Sequence, residues 1–138
     1  MEFFQYKNID TPAKGDLLIS EPLLPDNNFD RTVILLCEHN EEGSFGFVLN
    51  KLSMLNVDEV LDEVESFKTN LYVGGPVQQN TLHFIHDIEP LYQSGQLIQE
   101  GLCWGGDFDL LISLLKANAI DQNKIRFETN IYAFHLFF

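Results

Sequence analysis

The sequence predicts an α+β domain in which strands dominate, and three observations carry that expectation. Two apolar stretches of strand length, Thr32 to Cys37 and Phe45 to Leu49, flank a polar tip containing Gly43, the pattern of a β-hairpin. Apolar residues recur at helical spacing after Asn56 and again after Asp107, two residue types suited to capping a helix N-terminus. Strand and helix signals then mix without a regular βαβ rhythm, which argues against a doubly wound parallel sheet. At 138 residues and 45% hydrophobic content, the chain (1–138) reads as one domain with a substantial core.

In chain order, Gly15 to Ser20 is the first expected strand, since Leu17-Leu18-Ile19 lies between a glycine and the breakers Pro22 and Pro25. Asp26-Asn27-Asn28-Phe29-Asp30 has turn chemistry, with Phe29 placed to plug the core. The hairpin strands follow, and their near-continuous apolar character implies burial on both faces. Asn56 is expected to cap a helix in which Val57, Val60, Leu61 and Val64 share a face, with Asp58 and Glu59 in the first turn where the helix dipole favours them. Leu71-Tyr72-Val73 is a short strand entering Gly74-Gly75-Pro76, read as a tight corner that uses the φ freedom of glycine, and Val77 resumes beyond it. Thr81 to His86, Gln96 to Gln99 and Leu102 to Trp104 are further strands. A Gly105-Gly106 turn then leads into a helix capped by Asp107, built on Phe108, Leu111, Ile112 and Leu115 and ending near Asn118.

Charge narrows the function classes. Eight Lys and Arg stand against 21 Asp and Glu, a formal charge of -13 and a pI near 4.4. The cations Lys7, Lys14, Arg31, Lys51, Lys68, Lys116, Lys124 and Arg126 form no basic run, so direct DNA binding is disfavoured and a basic protein partner is the expected electrostatic complement. Cys37 and Cys103 are isolated, as for reduced thiols in a cytosol. The N-terminus has no basic leader followed by an apolar stretch, and no apolar run reaches membrane-spanning length, so a cytoplasmic setting is expected.

The sequence offers no complete catalytic constellation that chemistry alone could name. Cys37 and His39 share a strand face, but contact along one strand is awkward, and Cys37 is read as a buried small hydrophobe. His83 and His86, three apart on a strand, face opposite ways and would not share a metal; no spacing supplies a zinc set, and no cofactor is called for. Gly101, Gly105 and Gly106 match neither a P-loop nor a dinucleotide fingerprint, and Asp107 would put a carboxylate where an anion should sit. Trp104 is read as core. Harder to dismiss are Arg31, Glu38, His39, Asn40, Asn50 and Lys51, polar groups bracketing two buried strands. In the favoured account they satisfy one another and the turn backbone, Arg31 pairing with a carboxylate such as Glu38. In the other they line a pocket for a small polar ligand, bounded by the hairpin tip and the corner at Gly74 and Gly75.

A set of motifs resembles the YqgE/AlgH family of small bacterial proteins: Leu18-Ile19-Ser20 with Pro22, Phe29 with Arg31-Thr32-Val33, Glu38-His39-Asn40 with Gly43, Gly46-Phe47-Val48-Leu49-Asn50-Lys51, Gly74-Gly75-Pro76-Val77 and Trp104-Gly105-Gly106-Asp107-Phe108. The resemblance implies a mixed, mostly antiparallel sheet, bifurcated or partly barrel-like and flanked by helices, and a bacterial cytoplasmic protein of a group called transcriptional regulators. It supplies no active site. After Arg126-Phe127 the family's aromatic, glycine-rich segment and acidic helix are expected, and Glu128 to Phe138 departs from them, as a frameshift or early stop would produce. Ending on exposed rings would forfeit roughly 1.5–3 kcal/mol each and leave an adhesive strand edge. The expected function is therefore a non-catalytic regulatory protein acting through a basic protein partner. The alternative is a small polar ligand-binding domain or enzyme built on the tip cluster.

Overall fold

The computed structural model describes residues 2–5, 12–21, 32–64, 67 and 69–134; the predicted turn at 26–30, Phe29 and Arg31 lie outside them. The strands among these are β1 (Glu2–Gln5), β2 (Leu17–Glu21), β3 (Thr32–Asn40), β4 (Gly43–Val48), β5 (Leu52–Asn56), β6 (Asn70–Val73), β7 (Val77–His86), β8 (Gln96–Gln99), β9 (Leu102–Trp104) and β10 (Ile125–Phe134). Two α-helices, α1 (Val57–Val60) and α2 (Phe108–Lys116), accompany them.

β10 is the hub. One edge pairs antiparallel with β7, from Ile125↔His86 to Ile131↔Val77. The other pairs in parallel with β6 over Phe127–Thr129, then antiparallel with β4 over Tyr132–Phe134. The sheet forks there, one branch running β4-β3-β2-β1 and the other ending at β5, while β9 and β8 extend the far side. This mostly antiparallel arrangement with little helix is consistent with the α+β expectation. Closure into a barrel and a sheet flanked by helices are not shown: the described path runs open from β1 to β8.

The hairpin alternates as its apolar runs require. Ile34 and Leu36 pack with Leu18 and Val48, whereas Leu35 and Cys37 pack on the opposite face with Phe47, Ile85 and Ile131. A bulge at Cys37, between the pairs Leu36↔Gly46 and Glu38↔Phe45, bends the strand toward its tip. A third cluster joins Leu111, Ile112 and Leu115 of α2 to Leu71, Phe84 and Phe127, so α2 covers the sheet at β6, β7 and β10. Asp107 caps α2 as expected, its Oδ1 accepting from Leu110 N at 3.2 Å.

Two expectations are corrected. The helix after Asn56 stops at Val60 instead of running to Val64, and Asn56 makes no side-chain cap bond. Its (i, i+4) neighbours would be Asp58 with Asp62 and Glu59 with Glu63, two repelling pairs on a valine-rich backbone, and Val64 reaches the core through successive turns instead. Glu128 and Thr129 are not an exposed edge: they lie in β10 between β7 and β6, Ile131 is buried and Tyr132 packs on a core cluster, while the terminal rings Phe137 and Phe138 lie outside the described residues.

Candidate functional site

The fold divides the predicted site residues between the two ends of the hairpin. At the tip, His39 Nδ1 lies 2.5 Å from Ser44 Oγ, Asn40 Oδ1 accepts from Glu42 N at 2.8 Å, and Glu38 stands opposite Phe45. At the other end, Asn50 Oδ1 accepts from Val33 N at 3.0 Å, Val48 N donates to Gly74 O at 2.8 Å and Val73 N donates to Lys51 O at 2.8 Å. The six residues of β4 hold the ends roughly 20 Å apart at strand rise. Asn40 thus serves the turn backbone, whereas Asn50 reaches across to the backbone of β3 and not to a turn of its own. Lys51 and Gly75 do meet, lining a cavity of about 440 Å³ with Pro76 and Asn130, whereas Glu38, His39 and Asn40 are not part of it.

The corner glycines are needed for a different reason from the one expected. Neither Gly74 nor Gly75 has positive φ. A Cβ on Gly75 would lie 2.1 Å from Ile131 O, and one on Gly74 would lie 2.7 Å from Phe47 Cδ1 and 3.2 Å from Glu128 Oε2. They are small because β10 passes against them.

Beneath Gly74 sits a group that the sequence reading missed. Glu128 is fully buried, 0% exposed, at the centre of β10. Its Oε1 accepts from Arg126 Nε at 2.7 Å, and its Oε2 has no partner. The Arg126 guanidinium carbon lies 3.5 Å from the centre of the Tyr72 ring, and Nη2 donates to Leu49 O. His83 on β7 and Tyr72 on β6 are the cross-strand neighbours of Glu128. Burial pushes the Glu128 carboxyl up to about 7, against the opposing pull of the Arg126 charge and hydrogen bond. The same apolar surroundings, then the Glu128 charge, push Cys37 up to about 12, with Lys14 pulling the other way. Cys37 is consequently a thiol near neutral pH and presents no nucleophile. The signal was present in Arg126-Phe127-Glu128: alternation at a period of two puts both charges on one face and Phe127 on the other.

The remaining motifs fall to structure. His83 packs against Phe47 and Trp104, with ring centroids 5.4 and 6.1 Å away, while His86 on the opposite face lies within 2.7 Å of Gly105 O through Nε2. Burial lowers the pKa of both. Gly105 and Gly106 take positive φ in the turn before α2, and Trp104 sits edge-on to Phe45 at 4.9 Å.

The class defined by these features is an α+β protein with a forked sheet and a buried ion pair on its central strand. Residues 17–133 match the AlgH-like family, and the chain belongs to it. It is 44% identical over 116 residues to a UPF0301 protein of Cytophaga hutchinsonii, covering 83% of this chain and 64% of that one. It is 43% identical over 113 residues to a UPF0301 protein of Chlorobium limicola, covering 82% and 60%. The chain therefore spans about three-fifths of the length of these curated relatives. The solution structure of AlgH from Pseudomonas aeruginosa is similar at 30% identity with a TM-score of 0.68, over 94% of this chain and 71% of that one. A crystal structure from Corynebacterium diphtheriae shares the fold at the same TM-score of 0.68 and 23% identity, over 90% and 67%.

Proposed function

We propose that the protein is a non-catalytic regulatory adaptor of the bacterial cytoplasm that docks a basic protein segment on an apolar crest rimmed by carboxylates. One observation carries this reading. Leu52 and Met54 on β5 are 61% and 101% exposed, with Leu55 and Val60 also exposed beside them. β5 pairs with β6 only at Leu52↔Tyr72 and Asn56↔Asn70, so the intervening residues bulge outward. Next to this crest lies a cavity of about 530 Å³, lined in part by Leu55, Val60, Leu71 and Leu82, of a size to accept an apolar side chain from a partner. Glu59, Asp62 and Glu63 are exposed beside it, within a chain of net charge -13. An apolar projection of this kind with a charged rim has the anatomy of an interaction surface, and the sign of the rim selects a basic partner.

The test places a photo-crosslinking residue at position 54 in the native host, with the same residue at exposed Asp109 as control. A discrete basic protein should be captured from position 54 alone. Its purified form should bind at least tenfold more weakly to a Met54→Asp variant and more weakly at 0.5 M salt, as hot-spot loss and screening require. Capture of a second copy of this chain, of no protein, or of a partner indifferent to salt overturns the reading.

A further inference from the structure

A different part of the molecule carries the inference that goes beyond docking. In a chain with only 8 Lys and Arg, two of them, Lys124 and Arg126, line one cavity of about 580 Å³ at the start of β10. Tyr72, Asn70 and Asn123 contribute to its walls. A volume of this order suits a small organic molecule.

Arg126 is not a loose surface cation. Its side chain is 29% exposed, lies against the Tyr72 face, and donates from Nε to Glu128 and from Nη2 to Leu49 O. Two of its five N–H donors are thereby assigned and the guanidinium is held in one orientation, so a ligand meeting the remaining donors orders little side chain on binding. A planar guanidinium fork matches the oxygens of a carboxylate or a phosphate. Asp87 is the one carboxylate in the described lining, and its Oδ1 already accepts from the Tyr92 hydroxyl. The surrounding amides of Asn70 and Asn123 suit the polar body of such a molecule.

We infer that the cavity bounded by Arg126, Lys124 and Tyr72 is a binding site for a small organic anion, its carboxylate or phosphate head held by the two cations and its polar body by the neighbouring amides. The net charge of -13 opposes every anion at long range, so a bare inorganic head group binds weakly and the body adds affinity.

The test follows backbone amide shifts of the ¹⁵N-labelled full chain during titration with inorganic phosphate, with acetate and with adenosine monophosphate, using chloride at matched ionic strength as reference. Phosphate or acetate should produce saturable shifts at Asn70, Tyr72, Asn123, Lys124 and Arg126 with a Kd in the millimolar range, and whichever does so names the head group. A body-bearing anion should bind about tenfold tighter than phosphate if the head is phosphate. Lys124→Gln, an exposed position whose loss leaves the core intact, should weaken binding about three- to tenfold. Shifts no larger than those with chloride, shifts located elsewhere, or binding indifferent to Lys124→Gln overturn the assignment. Because Arg126 also supports Leu49 and Glu128, its replacement is left out of the test.

Discussion

Replacing Glu128 by glutamine should make the protein more stable, and by an amount that grows with pH. In the folded chain burial lifts this carboxyl to about 7, whereas an ordinary carboxyl of this type titrates at 4.5. Above 4.5 the unfolded chain releases the proton while the folded chain holds it, so stability from this group is fully present below the unfolded value and is lost as pH rises through about 7. The span between the two values corresponds to about 3 kcal/mol, at ~1.4 kcal/mol for each tenfold change in proton affinity. Between pH 5 and 8, most of it, about 2.5 kcal/mol, should be visible. Glutamine does not titrate and retains an oxygen to accept from Arg126 Nε. Every other titrating group is common to both proteins, so the difference in urea-unfolding free energy between Glu128→Gln and the parent isolates this carboxyl. That difference should rise with pH by about 2.5 kcal/mol over this range and level off above pH 8. A difference that stays flat would show that Glu128 titrates in the folded chain as it does in water, and the buried, half-paired carboxyl would have to be abandoned.

Two further outcomes follow from the same junction. Gly75→Ala should destabilise by at least ~3 kcal/mol, because its Cβ would lie 2.1 Å from the Ile131 carbonyl oxygen and 2.2 Å from its carbon, backbone atoms that cannot step aside. Gly105→Ala, with φ +72 and nothing within 4 Å of a Cβ, should lose only the left-handed penalty of ~1–2 kcal/mol; urea titration of both reads the order, and the reverse order contradicts the packing. In a Cys103→Ser background, Cys37 should react with a disulfide reagent at pH 8 on the order of 10³-fold more slowly than a free thiol until urea unfolds the chain. A free-thiol rate in the native state would remove Cys37 from the core.

How much of this was legible in the sequence depended on how far apart the interacting residues lie. The hairpin, β2, β6, β8, β9 and the capped α2 were all readable, because each is announced by neighbours within a few positions: an apolar run, a glycine, an aspartate before a helical pattern. The one-turn α1 shows the limit of periodicity, since the correct apolar spacing of Val57, Val60 and Val64 was outweighed by like charges at the same spacing. The place of β10 was not readable at all. Its partners are set by long-range pairing, and nothing local marks Ile125–Phe134 as the strand on which three others converge. The same distance hid the candidate site. Gly74-Gly75 looked like a place where a ligand could approach backbone, and something does approach it there: the backbone of β10 at Asn130 and Ile131, with the Glu128 carboxyl beside it. The glycine corner and the Arg126-Phe127-Glu128 alternation are two halves of one junction, some fifty residues apart. Each alone has a bland reading, a turn and a strand. Joined, they place a carboxylate that is completely buried, alone in this among the described residues, under the glycine corner, with an arginine beside it held at the wall of a cavity.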